Sequence, residues 1–376
     1  MKKIIVSMMA VAALAACTKS EVQYEPAGEI AFAPVAKNVT KSVAGYNGDT
    51  FDGVFPTGIN LYVFANASND AGTAWEDPYF ANALFKHDAG KGTEGTQTHP
   101  TLGTVATTGA YAGDPTRYWP NVKTLKFAGY SDACGVVKNA EMNFAANELT
   151  IPAYTQDNAT YTAEGANDLM WFPSTKYIAA TGYSKETKYV PVNMYHTCSW
   201  ITFMVQGDVT TGSAASTYNI TSLTMNGLDL TADVVCTGNA ALTQNTLSTY
   251  VAWSNNTTQT ESYAVTVPTS GVSLASTYTS ESSKAPKNLE TNAITTAGGN
   301  IVVIPQKPGT IDLAWTYNST TNATISDSAT GLSLKLNDDN TLNWEPGKHY
   351  VYTITIKANE ILIAPTPVDW TDGNFN

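Results

Sequence analysis

Apolar and polar residues alternate with a period of two along most of this chain, and that pattern constrains the fold more than any other feature. The stretch HYVYTITIK (349–357) is the clearest case. Tyr350, Tyr352, Ile354 and Ile356 share one side of an extended chain; His349, Val351, Thr353 and Thr355 share the other. Successive side chains of a strand point to opposite faces, so this spacing predicts a half-buried antiparallel strand. The same holds for GINLYVFANA (58–67), VKTLKFAGYS (122–131), NELTIPAYT (147–155), SWITFMVQG (199–207), YNITSLTMNG (218–227), ESYAVTVPT (261–269), GNIVVIPQK (299–307), TIDLAWTYN (310–318) and GLSLKLN (331–337). Gly, Asn, Asp, Pro or Ser bounds each of them. No long segment carries a stripe of helical period; short helices are expected only around 72–86 or 138–147. Many short strands at this spacing predict an all-β protein built of sandwiches.

The polar segment TGYSKETKYVPV (181–192) reads as a boundary, with one domain over 18–190 and a second over 191–376. On this reading VNMYHTCSWITFMV (192–205) opens the second domain. The Ser- and Thr-rich stretch 270–298 is expected to be an exposed loop.

The first seventeen residues, MKKIIVSMMAVAALAAC, have two lysines, an apolar run and small residues, the pattern of a secretory signal peptide rather than a spanning helix. The tetrapeptide Leu14 to Cys17 resembles a bacterial lipobox, in which the cysteine is acylated and becomes the first residue of the mature chain. Cys17 is the expected lipidation site, and the lipid would anchor the chain to a membrane. Net charge is −12, and loss of Lys2 and Lys3 with the leader takes it to −14. Such a surface repels phosphate backbones and argues against nucleic acid as a partner.

After Cys17, the cysteines are Cys134, Cys198 and Cys236, with no metal-type spacing. Cys198 and Cys236 both lie in apolar stretches and are the pair available for a bridge; three buried free thiols is the plainer reading. His87, His99, His196 and His349 are scattered, and no zinc-protease, nucleophile-elbow or phosphate-loop motif is present. NDDN (337–340) lacks the remaining ligands of a calcium loop and reads as a hairpin turn. His196, between Tyr195 and Thr197, reads as a hydrogen-bonded structural histidine. Nothing points to catalysis, a metal or a cofactor.

LNWEPGKHYVYTITIKANEILIAPTPVDW (342–370) resembles the C-terminal signature of the fimbrillin-like lipoproteins of anaerobic Gram-negative gut and oral bacteria. Trp344, Pro346, Gly347, Tyr350, Tyr352, Val368 and Trp370 carry it, the last two one residue closer than in the usual pattern. NMYHTCSWITFMV, RYWPNVKTLKFAGYS (117–131), IVVIPQ (301–306) and EIAFAPVAKNVTKS (29–42) are similar to further family segments, in the family's order.

The resemblance implies two transthyretin-like β-sandwich domains in tandem and a pilus subunit exported as an outer-membrane lipoprotein precursor. A trypsin-like or Arg/Lys-specific protease would remove the N-terminal segment with its first strand, 29–36, whose Ile30 and Phe32 alternate with Ala31 and Ala33. The usual arginine at the processing site is absent, so Lys37 and Lys41 are the candidate cleavage points. The emptied groove would accept a terminal strand, 360–370, from another pilin subunit, with Ile361, Leu362, Ile363, Val368 and Trp370 as anchors. The chain would then reside in an extracellular pilus supporting adhesion. Pro365 and Pro367 suit a stiff donor better than a central strand. Two alternatives stand beside this. The tail is also readable as the last strand of the second sandwich. The protein is also readable as a non-polymerising surface lipoprotein that binds glycan or host protein, with Trp75 or Trp253 as a sugar platform.

Overall fold

The computed structural model describes residues 28–36, 59–68, 75, 78–88, 95–99, 103–107, 110–120, 124–131, 139–156, 168–178, 190–207, 218–243, 246–255, 259–265, 267, 272–274, 287–288, 301–318, 324–337, 339–356 and 361–369. The chain is all-β. Its strands are β1 (Ala31–Ala36), β2 (Leu61–Ser68), β3 (Pro78–Asp88), β4 (Gly95–His99), β5 (Gly103–Thr107), β6 (Ala110–Gly113), β7 (Thr124–Ser131), β8 (Glu141–Asn143), β9 (Glu148–Thr155), β10 (Met170–Ile178), β11 (Val190–His196) and β12 (Ser199–Gly207). They continue with β13 (Tyr218–Leu228), β14 (Thr231–Thr237), β15 (Val251–Asn255), β16 (Glu261–Val265), β17 (Val272–Leu274), β18 (Lys287–Asn288), β19 (Ile301–Val303), β20 (Thr310–Asn318), β21 (Thr324–Ser333), β22 (Lys348–Ile356) and β23 (Ile361–Asp369). One helical turn, α1 (Leu247–Tyr250), precedes β15.

The first sheet runs β1-β11-β10-β7-β2-β3-β6 and closes on itself, because β1 pairs with both β11 and β6. Ile30, Phe32, Leu61, Val63, Phe85, Trp119, Phe127 and Phe172 fill its interior. Gly129 of β7 lies where a Cβ would come within 2.4 Å of the Tyr62 carbonyl oxygen and 2.6 Å of the Phe172 ring, so only glycine fits there.

The second half holds two facing sheets. One runs β18-β12-β22-β23 with β19 also on β12, and the other β16-β13-β20-β21 with β17 on β13. Phe203, Leu223, Met225, Leu313, Trp344 and Tyr352 lie in the core between them. The Trp-x-Pro-Gly turn is bound into that core. Trp344 Nε1 donates to the Tyr352 hydroxyl at 2.9 Å, which donates to the Leu334 carbonyl at 2.6 Å. Gly347 has a positive φ of 67° and its N–H donates to the Cys198 carbonyl at 2.8 Å, a conformation that favours glycine.

A third sheet, β15-β14-β9-β8, takes β8 and β9 from before the expected boundary and β14 and β15 from after it. It covers Tyr130, Trp171 and Tyr195 of the first sheet and Val302 and Ile304 of the second half. Cys198 and Cys236 are free thiols buried in this cluster. Cys134 lies outside the described residues.

Several expectations change. Strand β11, expected from residue 191 to belong to the second domain, pairs with β1 and β10 in the first sheet. The chain passes into the second half after His196. In the first sheet β1 joins both edges, so the strands of that sandwich close into a ring. No helix forms in the described parts of 72–86 or 138–147. Phe80, Ala83 and Phe85 are buried at a spacing that resembles a helix because Asn82, at φ 48°, interrupts the β2–β3 register with a bulge. Around 143, the Asn143 side chain accepts from the N–H groups of Ala145 and Ala146 and makes a turn instead. In GLSLKLN the strand ends at Ser333. Within 270–298 the described residues include β17 and β18.

Strand β22 is buried on both faces near its start, not half-buried as the alternation suggested: Tyr350 and Tyr352 enter the core, and on the other face the Trp200 ring of β12 covers His349. His349 is the consequence. It stacks on Trp200 (centroids 3.5 Å, planes 6° apart), and its Nε2 lies 2.9 Å from the Thr202 hydroxyl. Burial pushes its pKa down from 6.5 to about 3. The folded state therefore holds His349 neutral, and the unfolded chain takes up a proton that the folded chain does not. Stability is full above pH 6.5 and falls as pH drops toward 3, by up to about 1.4 kcal/mol per pH unit. Between pH 7 and pH 4.5 the wild type is expected to lose about 2–3 kcal/mol more than His349→Gln in chemical denaturation. Equal losses would show that His349 is not the group responsible.

Candidate functional site: the closing strand and the terminal strand

The chain around β1 is held from two sides. Ile30 N–H donates to the Arg117 carbonyl at 2.8 Å, and Trp119 N–H donates to the Gly28 carbonyl at 2.9 Å. Ala31 and Phe32 then face Ala112 and Tyr111 of β6, antiparallel. On the other side Phe32 to Ala36 face Val190 to Met194 of β11, parallel. The Ile30 and Gly28 bonds show that even-numbered residues turn their backbone groups toward the β6 side. Pro34 therefore turns its ring nitrogen to that side, beyond the last β6 pair at Phe32. The strand is central at 31–32 and one-sided at Pro34, which is where a residue without an N–H is tolerated.

Phe32 anchors the strand. It meets Phe85 edge-on at 4.9 Å and Phe127 edge-on at 5.1 Å, with Phe172 tilted at 6.2 Å. Ile30 and Phe32 are both fully buried. Each contributes about 1.5–3 kcal/mol of apolar burial, and each edge-on ring pair adds about 0.5–1.5 kcal/mol. Taking β1 away would leave two unpaired strand edges beside an apolar slot. At the rim, Arg117 lies over the Phe80 ring at 5.7 Å, and the Tyr79 hydroxyl donates to the Tyr118 carbonyl at 2.8 Å.

Strand β23 lies on the outside of β22, in unbroken antiparallel register from Ile356↔Ile361 to Lys348↔Asp369. Pro365 faces Tyr352 and Pro367 faces Tyr350. An unbroken ladder through both prolines requires that the even-numbered residues bond to β22. The odd-numbered ones, prolines included, then turn outward. Ile361 and Ile363 are half-buried against the second-half core, while Leu362 is 40% exposed and Ala364 is exposed. The backbone of Val368 pairs with His349, and its side chain lies outside the described residues, as do Trp370, Cys17, Lys37 and Lys41.

Other residues singled out from the sequence take internal roles. His196 Nδ1 lies 2.5 Å from Asp168 Oδ2, both buried at the junction of the halves. Trp253 Nε1 donates to the Thr197 carbonyl at 2.8 Å, and its ring meets Tyr154 edge-on. That ring belongs to the third cluster, not to an open platform. Lys126 Nζ sits 4.0 Å over the Trp75 ring. The NDDN stretch is a turn, closed by Asn340 N–H to the Asn337 carbonyl at 3.1 Å. Among the described residues no three His, Cys, Asp or Glu side chains gather to hold a metal. Burial raises the pKa of the Cys236 thiol. Sequence reasoning missed the partners of β1. β6 is too short to show alternation, and Phe85 and Phe172 lie in segments not read as strands.

No curated protein matches the chain. Among solved structures, a fimbrial protein from Bacteroides vulgatus is similar at 14% identity, covering 91% of this chain and 99% of that one, with a TM-score of 0.50. A putative cell adhesion protein from Bacteroides uniformis is 14% identical, covering 92% and 98% of the two chains, with a TM-score of 0.42. The tip fimbrial protein of Porphyromonas gingivalis is 10% identical, covering 92% and 100%, with a TM-score of 0.33. A family model described as fimbrillin-like matches residues 57–370. The chain belongs to the fimbrillin-like family, which points to an adhesive or structural role rather than an enzymatic one.

Proposed function

We propose that this chain is a subunit of a cell-surface pilus, exported as a lipoprotein, trimmed after β1 and polymerised by strand exchange. The observation that carries the reading is the position of β1, which fills a slot between two strand edges that no other described strand covers. Lys37 and Lys41 directly follow it in the sequence. Cleavage there turns β1 from a covalent part of the sheet into a bound segment that another strand can replace, which is β-augmentation. Strand β23 is the natural donor, because it is an edge strand with half-buried isoleucines. Such exchange is head-to-tail, so it makes open filaments rather than closed dimers. The partners are other pilin subunits. Before trimming, the lipid on Cys17 holds the precursor at the outer membrane.

Three outcomes follow. Cys17→Ser is expected to abolish acyl labelling and shift the protein out of the membrane fraction; continued labelling would refute lipidation at Cys17. Limited trypsin digestion of the full chain should cut first at Lys37 or Lys41, leave a folded core and yield filaments visible by electron microscopy. A trimmed monomer that never assembles would favour the non-polymerising adhesin. Deleting 360–376 removes two half-buried isoleucines worth about 1 kcal/mol each. At about 2–4 °C per kcal/mol for a domain of this size, the melting temperature should fall by less than about 10 °C while assembly is lost. Global unfolding on truncation would instead mark the tail as a required strand of its own sheet.

A further inference from the structure

The closing strand and the terminal strand share a pattern. Residues 30–34 read Ile-Ala-Phe-Ala-Pro, and residues 361–365 read Ile-Leu-Ile-Ala-Pro. Resting on the strand-exchange reading, we infer that the tail enters a neighbouring subunit in one register: Ile361 in the place of Ile30, Ile363 in the pocket of Phe32, and Pro365 in the place of Pro34.

The backbone fits as well as the side chains. In β1 the even-numbered residues face the β6 side, and Pro34 is the one that falls past the end of the pairing. In β23 the odd-numbered residues face the open edge, and Pro365 is one of them. The register lays the odd tail residues on the even β1 residues. The N–H groups of Ile361 and Ile363, which turn outward at home, then meet the edge that binds Ile30 and Phe32. The tail can thus offer its unpaired edge to the groove, with its prolines where no donor is needed.

Other registers fail on stated grounds. Sliding by two residues one way puts Pro365 into the Phe32 pocket. Sliding by two the other way puts Asn359 where the fully buried Ile30 sits. A slip of one residue reverses the faces, so that either Glu360 falls at the Ile30 site or Ala364 at the Phe32 site. It also turns Pro365 toward β11, where a donor is needed. In the inferred register, Leu362 replaces Ala31 and is the one position over residues 30–34 that adds bulk.

The register is tested by disulfide trapping in the full chain after limited trypsin digestion. Ala31 faces Ala112 in the monomer, so Leu362 should face Ala112 of the next subunit. The double variant Leu362→Cys/Ala112→Cys, oxidised after assembly, should give a ladder of reducible multimers on a denaturing gel. Ala364→Cys/Ala112→Cys, displaced by two residues, should give none beyond the wild-type background. A ladder only from the second variant, or filaments with a ladder from neither, overturns the register and leaves strand exchange standing. Failure of the trimmed wild type to form filaments overturns both.

Discussion

The first half of the molecule depends on one strand with partners on both sides. Phe32 sits where rings from β3, β7 and β10 converge, and its backbone bridges β6 and β11. Without that strand the sheet is an open one with two bare edges and an apolar gap. With it, the sheet closes into a ring. The strand lies near one end of the chain and is joined to the rest through a stretch carrying two lysines. The piece that completes the core is therefore also the piece that the proposed trimming would make replaceable.

The second half is organised around the turn before β22. Trp344, Tyr352 and Leu334 form a short hydrogen-bonded chain, and Gly347 ties the turn to Cys198 at the start of β12. These bonds set where β22 begins, and β22 in turn sets the register of β23. The family's signature residues are thus mainly core and turn residues. The tail beyond them is held by one strand alone, and its outward edge lacks donors at both prolines. A free edge with gaps in its N–H row is a poor template for chance pairing.

The halves are joined by buried polar contacts as well as by packing. Gln156 donates to the Val302 carbonyl and accepts from Ile304 N–H, so a side chain of the first half closes backbone groups of the second. Within the second half, Gln306 likewise satisfies both backbone groups of Asp229, just before β14 of the third sheet. His196 and Asp168 pair at the crossing point. Buried polar groups are costly unless satisfied, so these contacts define one arrangement of the third sheet rather than adding much net stability.

Much of the strand content was legible in period-two alternation, because a strand with one wet and one dry face must alternate. Stretches such as 199–207 and 310–318 emerge with their expected bounds. The reading missed strands, or how they are buried, where the clean two-face alternation was broken. β3 hid behind the bulge at Asn82, β6 is too short to show a period, and β22 is buried on both faces near His349. The candidate site divided the same way. The apolar alternation of 30–33 and 361–364 and the paired prolines are local facts, and they determined by themselves that both segments are extended, apolar and tolerant of one bare edge. Which edges β1 bridges, which rings surround Phe32 and which strand carries the tail depend on pairings between residues far apart in the chain. Only the tertiary structure decided those, because a strand's neighbours are chosen by where the whole chain brings its edges together.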